Sequence, residues 1–121
     1  MNKREFLKAG GAGIMAAATA GPALASPTRR IAVLQEHLPG AAAFAARERA
    51  AGARIMVPSG DPIHWFRTEL KPRLGSAHIV GFTDAAHALI LEGSLRESGY
   101  GRAVTPAHSE RGTLWSASPR T

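Results

Sequence analysis

Short apolar runs alternate with helix-forming segments between residues 30 and 98, and this alternation limits the possible folds more than any other feature of the sequence. Three of the runs suit buried strands, at residues 30–35, 53–57 and 77–82. A segment rich in helix formers follows each run. Because strands that alternate with helices over short links form parallel sheets covered by helices, the pattern predicts an α/β fold.

The ends of the predicted helices carry recognisable residues. The three helices are predicted over residues 41–51, 62–71 and 85–98. Gly52 and Gly99 stand directly after the first and the third, where glycine accepts the left-handed backbone that often ends a helix. Thr83 or Asp84 is expected to cap the third helix. Pro72 is expected to end the second, because the residue before a proline avoids helical backbone.

Two further strands are expected in the last fifth of the chain. Residues 102–105 form a fourth strand, residues 109–112 a turn, and residues 113–117 a fifth strand that pairs back. With right-handed crossovers, these elements predict a small three-layer sandwich, flavodoxin-like or Rossmann-like, with a mostly parallel sheet of four to five strands. The alternative is a two-layer α+β domain with its helices on one face of the sheet.

The first 25 residues have the composition of an export signal. A basic stretch over residues 1–8 precedes a mildly apolar run over residues 9–21, and a small-x-small pattern ends at Ala25. The run is too short, and too rich in glycine and alanine, for a stable membrane anchor. We therefore expect cleavage between Ala25 and Ser26, which leaves residues 26–121 as a single small α/β domain.

The basic stretch resembles the twin-arginine (Tat) export motif, Ser/Thr-Arg-Arg-x-Phe-Leu-Lys. Four residues match position for position, namely Arg4, Phe6, Leu7 and Lys8, while Lys3 replaces the first arginine and Asn2 replaces Ser/Thr. The Lys3 side chain keeps the charge but lacks one guanidinium fork, so either the Tat or the general secretory route remains open. The resemblance implies a bacterial protein that the Tat translocase exports already folded into the periplasm, with a co-exported or periplasmic protein as its partner.

A second resemblance concerns the expected mature domain. The stretch GFTDAAHALILEGSLRESGY at residues 81–100 and the later GTLW at residues 112–115 look like small uncharacterised proteobacterial proteins that carry Tat signals. This resemblance implies the same export route and supplies no catalytic residues.

The composition excludes several classes of function. The chain has no cysteine, so it has no disulfide, thiolate zinc site, cysteine nucleophile or cysteine-linked lipid anchor. Its net charge of +6 includes Lys3, Arg4 and Lys8 of the expected leader. Without a basic stripe that carries aromatic residues, and with export expected, no nucleic-acid partner is predicted.

Polar residues gather where the first three predicted strands end. In parallel sheets, ligands bind beyond the carboxyl ends of the strands. The residues expected along this edge, as contacts for a ligand or a partner, are Glu36, His37, Ser59, Asp61, Trp65, Thr83 and Asp84. Trp65 is included in this set because two adjacent helical aromatic residues, Trp65 and Phe66, are not both expected to point inward. Asp61, His64 and Asp84 are the candidates for catalysis.

Asp61 and Asp84 also have a purely structural interpretation. Both stand where helix N-caps belong, and Pro62 follows Asp61 at the first helical position. His78, in a predicted strand, suits a hydrogen-bonded structural residue. No histidine pair has metal-binding spacing, no Gly-x-Ser-x-Gly or Walker sequence occurs, and Glu36 would repel a phosphate. We expect no metal and no cofactor.

Two functions are compatible with these patterns. The first is an exported periplasmic accessory or binding module of unknown biochemical activity that serves a partner protein. The alternative is a small hydrolase or metal-dependent enzyme that uses Asp61, His64 and Asp84 at the carboxyl edge of the sheet. It requires the two carboxylates to be close together and free of the role of caps.

Overall fold

A computed structural model of the chain describes residues 29–120. The expected leader, with Lys3, Arg4 and the cleavage site, lies outside these residues. The strands are β1 (Arg30–Leu34), β2 (Arg54–Met56), β3 (His78–Thr83), β4 (Tyr100–Ser109) and β5 (Gly112–Pro119). The α-helices are α1 (Ala41–Ala50), α2 (Pro62–Trp65) and α3 (Ala85–Glu97). A π-helical turn (Phe66–Leu70) and a 3₁₀ turn (Lys71–Arg73) extend α2.

The five strands form one mixed sheet in the order β2-β1-β3-β5-β4. β1 pairs in parallel with both β2 and β3. β5 runs antiparallel to β3 on one side and to β4 on the other. The prediction of a mostly parallel, flavodoxin-like or Rossmann-like sheet is therefore wrong, because the two antiparallel ladders are the longer part of the pairing.

The hairpin at the end of the chain explains the mixed sheet. Only two residues, Glu110 and Arg111, join β4 to β5, and a link this short allows antiparallel pairing alone. α3 returns the chain to the far side of β5, so that β5 fills the place beside β3 and β4 becomes the edge strand. β4 carries Pro106 and two register irregularities, features that discourage further strand addition.

Helices cover both faces of the sheet. On one face, Phe44 of α1 packs with Leu34 and Phe82 in a small cluster. On the other face, α2 and α3 cover a larger cluster that includes Val33 and Trp115. Successive residues of β1 thus contribute to opposite cores, as the alternation of side chains along a strand requires.

Trp65 and Phe66 are both buried, although the sequence predicts that one of them is partly exposed. Each is 4% exposed and belongs to the larger core cluster. α2 and its extension pack against the sheet and also against α3, so the buried arc of the helix is wide enough for two adjacent side chains. Trp65 is therefore a core residue and does not contact solvent at the sheet edge.

One buried glutamate ties α1 to the sheet, and another ties α3. Glu48 of α1 is 5% exposed and accepts hydrogen bonds from Arg30 at 2.7 and 3.2 Å. Glu92 of α3 is 7% exposed and accepts from Arg102 at 3.3 and 3.4 Å. Both carboxylates need this pairing, because a buried charge without a partner strongly destabilises the fold.

Trp115 occupies the centre of the larger core. Its indole is fully buried, lies against Gly81 of the paired strand β3 and donates a hydrogen bond to Thr83 Oγ1 at 3.0 Å. Nearby, the Tyr100 hydroxyl donates to the carbonyl of Ala77 at 2.7 Å. Both buried polar groups therefore have partners, as burial demands. Within residues 29–120, no helix has the length and apolarity needed to cross a membrane.

Candidate functional site

The carboxyl ends of β1 and β3 form the switch point of this sheet. The chain leaves β1 to form α1 on one face and leaves β3 to form α3 on the other face. Because the two connections diverge, the gap between these strand ends corresponds to the crevice in which ligands bind in open α/β sheets. Gln35 follows β1 directly, and Asp84 follows β3.

Gln35, Asp84 and His87 form a hydrogen-bonded network in this crevice. The Asp84 backbone N–H donates to Gln35 Oε1 at 2.6 Å. The Asp84 carboxylate accepts from the His87 backbone N–H at 2.7 Å and lies 3.1 Å from His87 Nδ1. Gln35 Nε2 lies 3.2 Å from the same ring nitrogen. The network that surrounds this imidazole thus joins Gln35 and Asp84, which are 49 positions apart in the sequence.

The two partners of His87 Nδ1 favour one tautomer. Because Gln35 Oε1 accepts a backbone N–H, its Nε2 is a donor. Nδ1 cannot accept from Gln35 and donate to Asp84 at the same time. Hydrogen bonds to an ionised carboxylate are about twice as strong as those between neutral groups, so the ring donates from Nδ1 to Asp84. The neutral ring then has its lone pair on Nε2, which makes no hydrogen bond to any residue in the range 29–120.

The network keeps the Asp84 carboxylate ionised. Burial acts to raise the pKa of Asp84, but the hydrogen bonds from the His87 backbone and ring, together with Gln35, outweigh it, so that the pKa lies below its ordinary value. An ionised Asp84 serves both as cap of α3 and as acceptor for the His87 ring. The cap prediction at Asp84 is confirmed, and the same carboxylate also orients an imidazole.

Thr83 is expected from the sequence to contact a ligand at this edge, but its side chain is buried in the core. It is fully buried, and its hydroxyl donates to the Asp84 carbonyl at 2.9 Å while it accepts from Trp115. Its oxygen therefore has neither exposure nor a free proton, which a nucleophile beside the Asp84–His87 pair would need.

Asp61 and His64 lie at the end of β2, on the far side of β1. Because β1 separates β2 from β3, the two strand ends are ~10 Å apart, or two strand spacings. Asp61 Oδ2 accepts the His64 backbone N–H at 2.8 Å, so the predicted cap is confirmed. In the part of the chain that the structure describes, no hydrogen bond joins Asp61 or His64 to Asp84. The three catalytic candidates do not form one hydrogen-bonded cluster.

The remaining predicted residues of the edge are spread along it. Glu36, His37 and Ser59 are exposed. Glu36 also lines a shallow groove of about 300 Å³ beside α1, where Arg49 supplies a cation. These side chains surround the crevice without joining its hydrogen-bond network.

The prediction from sequence missed Gln35. It treats this residue as the end of the first strand, whereas its amide oxygen links the carboxyl ends of β1 and β3. A polar side chain directly after a buried apolar run, in a strand expected at the centre of the sheet, is the signal that identifies such a residue.

Residues 29–120 contain no cluster of three or more histidine, aspartate or glutamate side chains suited to a metal ion. The chain matches no protein-family model, no curated protein and no solved structure. The function must be inferred from the geometry of the site.

Proposed function

We propose that this protein is an exported periplasmic accessory module that binds a ligand or partner protein at the crevice between β1 and β3. The observation that carries the proposal is the His87 ring, which donates to Asp84 at the switch point of the sheet, where Gln35 in turn accepts from the Asp84 backbone. The His87 side chain is 21% exposed, so it is oriented by the protein and still reachable from solvent. Preorganised polar groups in a crevice are typical of binding sites.

The tautomer of His87 defines the chemistry of the ligand. With Nδ1 donating to Asp84, the neutral ring presents Nε2 as an acceptor for a hydroxyl or amide N–H of the partner. Glu36 and His37 follow Gln35 at the same edge and are exposed, so they are available to contact the same partner. We favour binding over hydrolysis because Asp61 and Asp84 each cap a helix and Thr83 is buried.

The chain offers a matched control for the site. His64 and His87 each stand three residues after a capping aspartate and donate a backbone N–H to it. The His87 ring also bonds to its capping aspartate, whereas among residues 29–120 no such bond joins the His64 ring to Asp61. Substitution of either histidine by glutamine leaves the backbone bond to the cap in place.

Capture from a periplasmic extract tests the binding role. The mature protein, immobilised, is expected to retain a specific partner that His64→Gln also retains and His87→Gln loses. Circular dichroism of each variant verifies folding. Recovery of nothing above background, or equal retention by His87→Gln, contradicts the proposal.

Export is tested separately with a reporter fused behind residues 1–26. We expect periplasmic reporter only in cells with an intact Tat translocase, and none after the double change Lys3→Gln with Arg4→Gln. Transport in cells without the translocase would refute the Tat route and would assign the leader to general secretion.

A further inference from the structure

A groove of about 640 Å³ runs between α2, with its extension, and α3 on the outer surface of the molecule. None of Gln35, Asp84 and His87 lines this groove, and it has no part in the proposed function. The side chains that line it and matter here are Ile63, Phe66, Arg67, Lys71, Leu89 and Glu97.

The two walls of the groove run in the same direction. α2 starts at the carboxyl edge of the sheet and its extension returns to the start of β3, and α3 makes the same return to the start of β4. Ile63 and Leu89 therefore lie towards one end of the groove, and Lys71 and Glu97 towards the other. Leu89 is 74% exposed and Ile63 43%, an exposure that leaves much of their apolar surface in water.

The charged end of the groove has opposite signs on its two walls. Arg67 and Lys71 lie on the wall formed by the extension of α2, and Glu97 lies on the α3 wall. No ion pair within residues 29–120 involves any of the three. The groove thus has two cations on the α2 wall, one anion on the α3 wall and an exposed apolar pair towards its other end.

We propose that this groove is the interface of a homodimer whose two-fold axis runs along it. Rotation about such an axis places the α3 wall of one copy over the α2 wall of the other. Leu89 then meets Ile63 of the second copy, and Glu97 meets Lys71 of the second copy, both without a shift along the groove. Because one molecule carries both complementary halves in matching register, a second copy fits the surface better than an unrelated protein, which would have to supply the same pattern.

Sedimentation of the full chain tests the dimer. The wild type is expected to sediment as a dimer, and Leu89→Glu as a monomer, because the substitution places a carboxylate in the apolar contact. Val104→Glu is the matched control, since Val104 is 59% exposed on β4, outside the groove. It is expected to remain dimeric.

Charge reversal tests the pairing itself. Lys71→Glu and Glu97→Lys each place like charges opposite one another at two symmetric positions, and each is expected to weaken dimerisation about tenfold. A mixture of the two variants restores both ion pairs, so it is expected to form a heterodimer with near wild-type affinity. The double variant is expected to dimerise again for the same reason.

The outcomes that overturn the proposal apply only if circular dichroism shows each variant to be folded. They are a wild-type chain that stays monomeric, whether or not another protein binds the groove; a dimer that Leu89→Glu leaves intact; and single charge variants that fail to associate with each other when mixed. Equal loss of the dimer in Val104→Glu places the interface elsewhere and also overturns it.

Discussion

At the scale of single residues, Gly81 lies so close beneath Trp115 that no side chain fits at its position. The two residues are Cα partners on β3 and β5, and a Cβ atom at Gly81 would overlap the indole ring. Glycine inside a strand usually weakens it, but here it admits the indole ring of Trp115 into the core. The Trp115 indole can donate to Thr83 only because Gly81 leaves the space.

Gly81→Ala is expected to lower the free energy of unfolding by ~1–3 kcal/mol, the range for an overpacked core. Gly93→Ala is the matched control, because a Cβ at Gly93 meets no atom within 4 Å and alanine is the better helix former. It is expected to be neutral or to stabilise by up to ~1 kcal/mol. Urea denaturation measures both, and equal effects would contradict this account.

At the same scale, His78 is expected to make the stability of the fold depend on pH. Burial and the charge of Arg30 lower the pKa of His78, against the opposing effect of Glu48. The unfolded chain therefore binds the proton more readily, and stability falls as the pH drops below the ordinary histidine pKa of ~6.5. Urea midpoints at pH ~7.5 and ~5.5 should differ less for His78→Gln than for the wild type or the exposed-residue control His64→Gln. An unchanged slope in His78→Gln would refute the assignment.

At the scale of elements, the starts of α2 and α3 are set by neighbouring residues in the sequence, and both predicted aspartate caps are confirmed. Asp61 and Asp84 each accept the backbone N–H three residues on, as predicted. Gly52 and Gly99, with φ of 85° and 89°, follow α1 and α3 as the sequence indicates. These features were predictable because each depends on residues only a few positions apart.

The two caps are expected to differ in strength. Asp61→Ala should cost ~1 kcal/mol, the usual value for a lost cap. Asp84→Ala should cost more, ~2 kcal/mol, since it also leaves the His87 ring without its acceptor. Because the pKa of Asp84 is lowered, its stabilisation is present above the unfolded pKa and is lost as the pH falls through the folded value. Chemical denaturation at neutral and acid pH measures both, and equal losses would contradict the network.

At the scale of the whole molecule, one core joins elements from both ends of the described chain. The larger cluster draws on β1, α2, β3, α3, β4 and β5, and it contains Trp65 and Trp115. The terminal hairpin therefore belongs to the same packed unit as the first strand and has no core of its own.

Unfolding is accordingly expected to be a single cooperative transition. Tryptophan fluorescence and far-ultraviolet circular dichroism should give the same urea midpoint. In Trp65→Phe, whose remaining tryptophan reports on β5, the two probes should again coincide. An earlier fluorescence transition in that variant would show that the hairpin unfolds separately.

The sequence by itself determined the helices and strands, their order along the chain and the caps of the helices, because these depend on short-range chemistry. It did not determine the direction of the strands or their order in the sheet. The reason is that a hairpin at residues 109–112 pairs with whichever strand edge the folded chain leaves open. Nor did it show that Gln35 meets Asp84 and His87, or that Glu48 and Glu92 are buried beside arginines. Those contacts join residues 10 to 52 positions apart. The tertiary structure alone decided them, because the burial that makes each pairing favourable exists only after the sheet has formed.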